Sequence, residues 1–208
     1  MQTDQKIFET IVNDLRTKGY SIQPYALPDE LADALINAIV GMDTEDFKSA
    51  GVGRDTLHQI NHQVRRDTIH WIDEKSPTGR DWLAWMGDLQ SAINRQLFLG
   101  LDYYESHFAH YREGAFYKRH VDAFVGQDNR VLSTVAYLNR DWPSDAGGEL
   151  VLYRDEQDQT GIKVVPEFAT LVVFLSEEFP HEVLPARRER YSIAGWFRRR
   201  GGKNTIFA

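Results

Sequence analysis

Apolar residues recur at helical spacing over residues 4–18, through Ile7, Phe8, Ile11, Val12 and Leu15, with Asp4 placed to cap the helix and Gly19 to stop it. Residues 20–25 alternate and predict a short strand. Pro28-Asp29-Glu30 opens a second helix that carries Leu31, Leu35, Ile36 and Ile39 to about Val40. Glycines at 41, 51 and 53 break the pattern before an alternating stretch over 67–72, closed by the turn-like Asp73-Glu74-Lys75-Ser76-Pro77. A third helix, about 79–99, presents Trp82, Trp85, Met86, Leu89 and Ile93 on one side. From residue 101 the period changes from helical to strand-like. Strands are predicted over 105–111, 116–123, 131–138, 149–153, 162–165, 169–175, 181–184 and 190–197, separated by Gly-, Pro- and Asp-rich turns. Eight short strands behind a helical front predict an α+β fold. Its core is a jelly roll, a double-stranded β-helix, buttressed by N-terminal helices. No linker divides the chain, so one domain over 1–208 is expected, with 1–100 as helical support and 101–200 as the β core.

Composition changes this picture by exclusion. The 208 residues are 42% hydrophobic and 26% charged, enough for a sizeable core. A net charge of −7 argues against a broad phosphate-binding surface, and Arg198-Arg199-Arg200 reads as a solvated end after a buried strand. With no cysteine there is no disulfide, thiolate metal site or thiol nucleophile, which is compatible with a cytoplasmic location. The polar N-terminus lacks a signal-peptide core, and no apolar run reaches the length of a membrane span.

The candidate chemistry centres on His120-Val121-Asp122. In a strand, period-two geometry puts His120 and Asp122 on one face. A late strand beginning at His181 can lie alongside in a jelly roll, and the three side chains then form a 2-His-1-carboxylate set, which leaves open positions on a non-haem Fe(II). His-x-Asp alone is weak, because a surface His beside a solvated Asp is commoner. Parity sorts the final strand: Arg190, Ser192, Ala194 and Trp196 share one face, and Tyr191, Ile193 and Phe197 the other. Arg190 could grip a carboxylate with two parallel hydrogen bonds over the small residues. Val131, Ser133, Val135 and Tyr137 share a face of their strand, from which the Tyr137 phenol could reach the same carboxylate. Tyr111 and Tyr117 are similar, weaker candidates. His58 and His62 would share a helix face but lack a third ligand.

Several of these segments occur together and in order in one known family. From Val64 to Phe197 the chain resembles the Fe(II)- and 2-oxoglutarate-dependent prolyl hydroxylases, in particular the oxygen-sensing branch and its bacterial relatives. The resemblance is carried by Tyr117–Asp122, Arg130–Trp142, Gly147-Gly148-Glu149-Leu150, His181-Glu182-Val183 and Arg190-Tyr191-Ser192-Ile193 to Trp196. Val64–Ile72 is similar to the finger loop that covers substrate in that branch.

The resemblance implies that His120, Asp122 and His181 bind iron, that Arg190 pairs with the distal carboxylate of 2-oxoglutarate, and that Tyr137 hydrogen-bonds it. Trp196 would line the pocket, and Arg65 and Asp67 would anchor the finger loop as an ion pair. Tyr111 resembles a tyrosine near the metal, although the loop from it to His120 is one residue short. The implied activity is that of a dioxygenase hydroxylating a prolyl residue of a protein or peptide, with O2 as co-substrate, succinate and CO2 as co-products, and ascorbate left open as an accessory. No nucleic-acid or membrane partner is expected. Activity should fall on the acid side of neutrality, because imidazoles bind metal unprotonated. Other readings are the same chemistry on a lysyl side chain, small molecule or nucleobase, a non-catalytic module that binds 2-oxoglutarate or metal, and an interaction protein using the helical face.

Overall fold

The structure, a computed structural model, describes residues 2–50, 63–123 and 129–200. The 51–62 stretch, with His58 and His62, and the Gly126-Gln127-Asp128 turn lie outside the described residues. Among the described residues, three α-helices, α1 (Gln2–Lys18), α2 (Asp29–Val40) and α3 (Pro77–Leu97), alternate with or precede eleven strands. The strands are β1 (Tyr20–Gln23), β2 (Lys48–Ser49), β3 (Thr68–Trp71), β4 (Tyr103–Tyr111), β5 (Tyr117–His120), β6 (Arg130–Tyr137), β7 (Leu150–Leu152), β8 (Ile162–Val164), β9 (Leu171–Leu175), β10 (His181–Val183) and β11 (Arg190–Arg198). Each strand expected after residue 101 is present. Among the described residues no helix is long and apolar enough to cross a membrane.

The strands form two antiparallel sheets. The major sheet runs β1-β9-β6-β11-β4-β3-β2 and the minor sheet β5-β10-β7-β8, together the jelly roll. The apolar stripes of the helices explain the layering. Ile11, Leu35, Trp82, Met86, Leu89 and Ile93 are fully or almost fully buried, and they pack on Phe108, Leu132, Val173, Ile193 and Phe197 from one face of the major sheet. Each such side chain contributes roughly 1.5–3 kcal/mol by leaving water, so the helices hold the major sheet flat against one layer and leave its other face for the minor sheet. Trp82 is buried without an unmet donor, because its Nε1 donates to Ser106 Oγ at 3.0 Å. Ser76 caps α3 by accepting from the Gly79 N–H at 2.9 Å, with Pro77 following it.

Between the sheets lies a second apolar cluster that includes Tyr137, Leu150, Leu152, Phe174 and Val183. The stretch from Val64 to Trp71 seams the two sheets along one side. Its first half pairs with the free edge of β5 (Lys118 N–H to Val64 O, 2.9 Å; Arg66 N–H to Phe116 O, 3.0 Å), and its second half is β3 of the major sheet. At the corner Arg65 grips Asp67 through two bonds, Nε–Oδ1 at 2.8 Å and Nη2–Oδ2 at 2.5 Å, with the Asp67 side chain fully buried. Breaking a buried pair of this kind costs ~3–5 kcal/mol, against ~0–1 kcal/mol for a surface pair, so the corner is a structural clamp.

Two expectations are corrected. First, β5 stops at His120, and Asp122 sits in the bend beyond it, so strand parity does not place its carboxylate. Second, Val131 packs on the helical side with the first core. Phe197 pairs with Leu132 and Arg198 with Arg130, so Val131 is the extra residue of a bulge, and parity resumes only after it. The arginine tail is a solvated end, as expected, with Arg199 and Arg200 exposed, and its side-chain contacts also pin it to the chain before and within β4. Arg198 pairs with Glu105 at 2.6 Å, Arg199 Nε donates to Leu99 O at 2.7 Å, and Arg200 lies 3.2 Å from Asp102. The pinning follows from β11 running beside β4 along its whole length.

Candidate metal centre

His120 and His181 are direct antiparallel partners in the minor sheet. Each ring is oriented from behind: His120 Nδ1 lies 2.8 Å from Lys118 O, and His181 Nδ1 lies 3.0 Å from Phe179 O. A carbonyl can only accept, so Nδ1 carries the proton on both rings and each Nε2 presents a lone pair. Asp122 completes the group, with Oδ1 3.6 Å from His120 Nε2 and Oδ2 3.6 Å from His181 Nε2. The three donor atoms lie within 4.8 Å of one another. Two neutral imidazoles and one carboxylate form a donor set suited to a divalent first-row metal, and the residues present fit Fe(II). Around them, the Tyr117 ring stacks on His120 at 3.6 Å, the Arg65 guanidinium lies 4.3 Å over Tyr117, and Phe174 abuts His181 at 4.8 Å. The corner clamp thus continues, through Tyr117, to the plane of His120.

Burial pushes the Asp122 carboxyl up, but the His181 and His120 imidazoles and the Ser133 hydroxyl outweigh it and hold it well below the usual carboxylate range. Burial first, then the neighbouring His120, lowers His181 to about 4. Burial thus keeps the His181 imidazole in the unprotonated form that can bind a metal. His107, which lines the same cavity, is also lowered to about 4, by burial first and then by Arg65.

These two imidazoles give a pH prediction. Unfolded, each takes a proton near pH 6.5; folded, each refuses it until about 4. Their contribution to stability is complete above 6.5 and is lost as pH falls toward 4, by about 2 kcal/mol per residue between pH 7 and pH 5. Chemical denaturation of metal-free protein should show that loss, and His107→Gln should recover about half of it. A midpoint independent of pH over this range would contradict the assignment.

From the triad the cavity runs along β11 to Arg190, past Ser192 and Ala194, as parity predicted. Arg190 is 1% exposed, although it carries a full charge. Its Nε donates to Gly148 O at 2.9 Å and its Nη1 to Ser192 Oγ at 3.1 Å. Among the described residues no carboxylate pairs with it, and its Nη2 and the buried Tyr137 hydroxyl have no hydrogen-bond partner. A buried cation with an unmet donor beside an unmet hydroxyl calls for an anion. Burial pushes the Tyr137 phenol up to about 12, so it stays a donor. Tyr111, opposite Arg190 in the sheet, is buried with its ring 4.9 Å from the guanidinium, which places it at this end of the cavity. Trp196 lines the other end, with Arg130 3.9 Å over its ring.

Sequence reasoning gave no role in the site to Ser133, Arg130, His107 or Gly148, the last being read only as part of a tight turn. The signal for His107 was its parity with Tyr111 on β4; for Ser133, its parity with Tyr137 on β6. Gly148 has φ +74°, and a Cβ there would sit 2.9 Å from Ala186 Cβ, 3.0 Å from the Trp142 ring and 3.4 Å from Arg190 Cδ. Only glycine lets that carbonyl reach the guanidinium.

The profile of the 2OG-Fe(II) oxygenase superfamily matches residues 106–198, the span holding the triad and Arg190. The chain is 36% identical over 85 residues to Egl nine homolog 1 of Homo sapiens, which is 40% of this chain and 20% of that protein. It spans about a quarter or less of the length of the Egl nine homolog 1 relatives it matches. Among solved structures it is similar to a Pseudomonas putida prolyl-4-hydroxylase, at 43% identity and TM-score 0.82, covering 93% of this chain and 100% of that one. It is also similar to a Trichoplax adhaerens prolyl hydroxylase in complex with a hypoxia inducible factor peptide fragment, at 28% identity and TM-score 0.81, covering 95% and 91%. Matched over the full length of a bacterial relative, and with the family profile lying on the strands that assemble the triad, this chain belongs to the 2OG-Fe(II) oxygenase superfamily.

Proposed function

We propose that the protein is an Fe(II)- and 2-oxoglutarate-dependent dioxygenase that hydroxylates a prolyl residue of a protein or peptide. One observation carries this: an imidazole–carboxylate–imidazole set shares a cavity with a buried arginine, Arg190, whose Nη2 has no partner and whose guanidinium lies 5.1 Å from the ring of Tyr137, a buried tyrosine with an unmet hydroxyl. His120, Asp122 and His181 would hold the iron. Arg190 Nη2 and the Tyr137 hydroxyl would receive the distal carboxylate of 2-oxoglutarate, and Tyr111 and Leu150 would help keep water from it. The bound iron, with 2-oxoglutarate and O2, supplies the oxidation that turns C–H into C–OH while the oxo acid becomes succinate and CO2. At the other end Trp196, His107 and Arg130 would wall the space where the prolyl ring enters. Arg65 and Asp67 would position the covering segment and take no part in the chemistry. The similar Pseudomonas putida prolyl-4-hydroxylase, and the Trichoplax adhaerens prolyl hydroxylase in complex with a peptide fragment, favour proline in a peptide as the substrate. The reading includes a single catalytic domain, since the helices share a core with the major sheet, and a cytoplasmic site of action, which suits a cysteine-free chain.

The test is reconstitution. Metal-free protein, Fe(II) and 2-oxoglutarate are combined anaerobically with proteins of a cell extract and then exposed to O2. Proline residues gaining one oxygen, with succinate formed in step, are the expected result. Succinate formation that no proline-containing protein stimulates would overturn the prolyl assignment, and absence of succinate would overturn the dioxygenase.

A further inference from the structure

The two histidines ride on the minor sheet, but the carboxylate between them is tied to the major one. Ser133, on β6, donates its Oγ–H to Asp122 Oδ2 at 2.7 Å. A carboxylate only accepts, and a serine has one hydroxyl proton, so Ser133 has none left for its second contact, Ser176 Oγ at 2.9 Å. The direction of that bond follows: Ser176 donates to Ser133, and Ser133 donates to Asp122. Both serines are buried, at 1% and 0% exposure, and Ser176 is itself fixed by its N–H, which donates to Val131 O at the β6 bulge (3.1 Å). Hydroxyls aligned this way polarise one another, which strengthens the last bond of the chain.

The relay matters because the carboxylate lies evenly between its neighbours, each oxygen 3.6 Å from one imidazole. Nothing in that symmetry stops both oxygens from taking the metal. We propose that the Ser176–Ser133 relay is a positioning device that occupies Oδ2 and leaves Oδ1 as the ligand, so that Asp122 binds iron through one oxygen and keeps a coordination position open for the oxo acid. Hydrogen-bond partners behind metal ligands act through orientation, and losing one typically weakens metal binding ~10–100-fold. Ser133 is therefore a positioning residue that touches neither substrate nor co-substrate. The inference rests on the metal-binding reading above.

The test compares Ser133→Ala, Ser133→Thr and Ser176→Ala with the parent protein. Metal-free samples are titrated anaerobically with Fe(II), then with 2-oxoglutarate, following the visible absorption of the iron–oxo acid chelate. The thermal midpoint of each metal-free sample is recorded alongside. Ser133→Ala should weaken Fe(II) binding ~10–100-fold and diminish the chelate band even at saturating iron. Ser133→Thr, which keeps the hydroxyl, should restore both, and Ser176→Ala should fall between. Loss of packing alone would lower the midpoint of metal-free protein without selectively diminishing the chelate band. Fe(II) affinity and a band equal to the parent's in Ser133→Ala would overturn the relay and leave the triad intact; if that variant does not fold, the same result in Ser176→Ala serves. A parent protein that binds no Fe(II) would overturn both readings.

Discussion

Asp122→Ala is expected to leave a folded protein that no longer holds Fe(II). The substitution removes the one anionic donor of the three and leaves two neutral imidazoles to bind a dication. The loss should exceed the ~10–100-fold typical of a partner behind a ligand, because a ligand itself is gone. The fold should persist, since Asp122 lies in a bend outside the strand ladder. Anaerobic Fe(II) titration and succinate formation are the measurements. Turnover at the parent rate would remove Asp122 from the metal, and with it the reason for placing the metal here. Asp122→Asn sharpens the reading: it keeps the shape and a carbonyl oxygen but not the charge, so recovery of binding there would mean that geometry outweighs charge.

Arg190→Lys should raise the 2-oxoglutarate requirement strongly while leaving Fe(II) affinity near that of the parent protein. The guanidinium is planar, and its three nitrogens differ in their partners: Nε donates to Gly148 O, Nη1 donates to Ser192 Oγ, and the buried Nη2 has none. An ammonium on a flexible stem cannot span all three. Truncating one partner of a buried, hydrogen-bonded charge pair costs ~2–5 kcal/mol, which is roughly 30-fold to several-thousand-fold in affinity. Arg190→Ala should sit at the upper end and Arg190→Lys at the lower. The measurement is KM for 2-oxoglutarate at saturating Fe(II), with the metal titration as control. An unchanged KM would detach Arg190 from the co-substrate. A parallel loss of iron binding would mean that the substitution had disturbed the triad.

How far the sequence carried these assignments varies with how local their causes are. The strands after residue 101 were legible because alternation and turn residues act within a few positions of each other. The two faces of β11 were legible for the same reason, and Arg190 followed from them. His181 could be matched with His120 because a jelly roll sets a late strand against an early one. What stayed hidden depends on distant contacts. The orientation of Asp122 comes from Ser133 in the other sheet, and strand periodicity does not describe a bend. The displacement of Val131 is visible only in its pairing with β11. The need for glycine at 148 arises from Trp142, Ala186 and Arg190 together. In the seam formed by Val64–Trp71, alternation was legible over 67–72 and the resemblance pointed to a covering loop over Val64–Ile72, but the fastening of its first half was not, because the edge it pairs with lies some fifty residues later in the chain.

The pairing of His120 with His181 sets an order of events during biosynthesis. A chain leaving the ribosome displays His120 and Asp122 early, yet has no third ligand until β10 has emerged, and no guanidinium until β11 follows. On the proposed site, the full set of iron ligands would therefore exist only late in synthesis. Translation arrested between β5 and β10 would yield a polypeptide with two of the three proposed ligands.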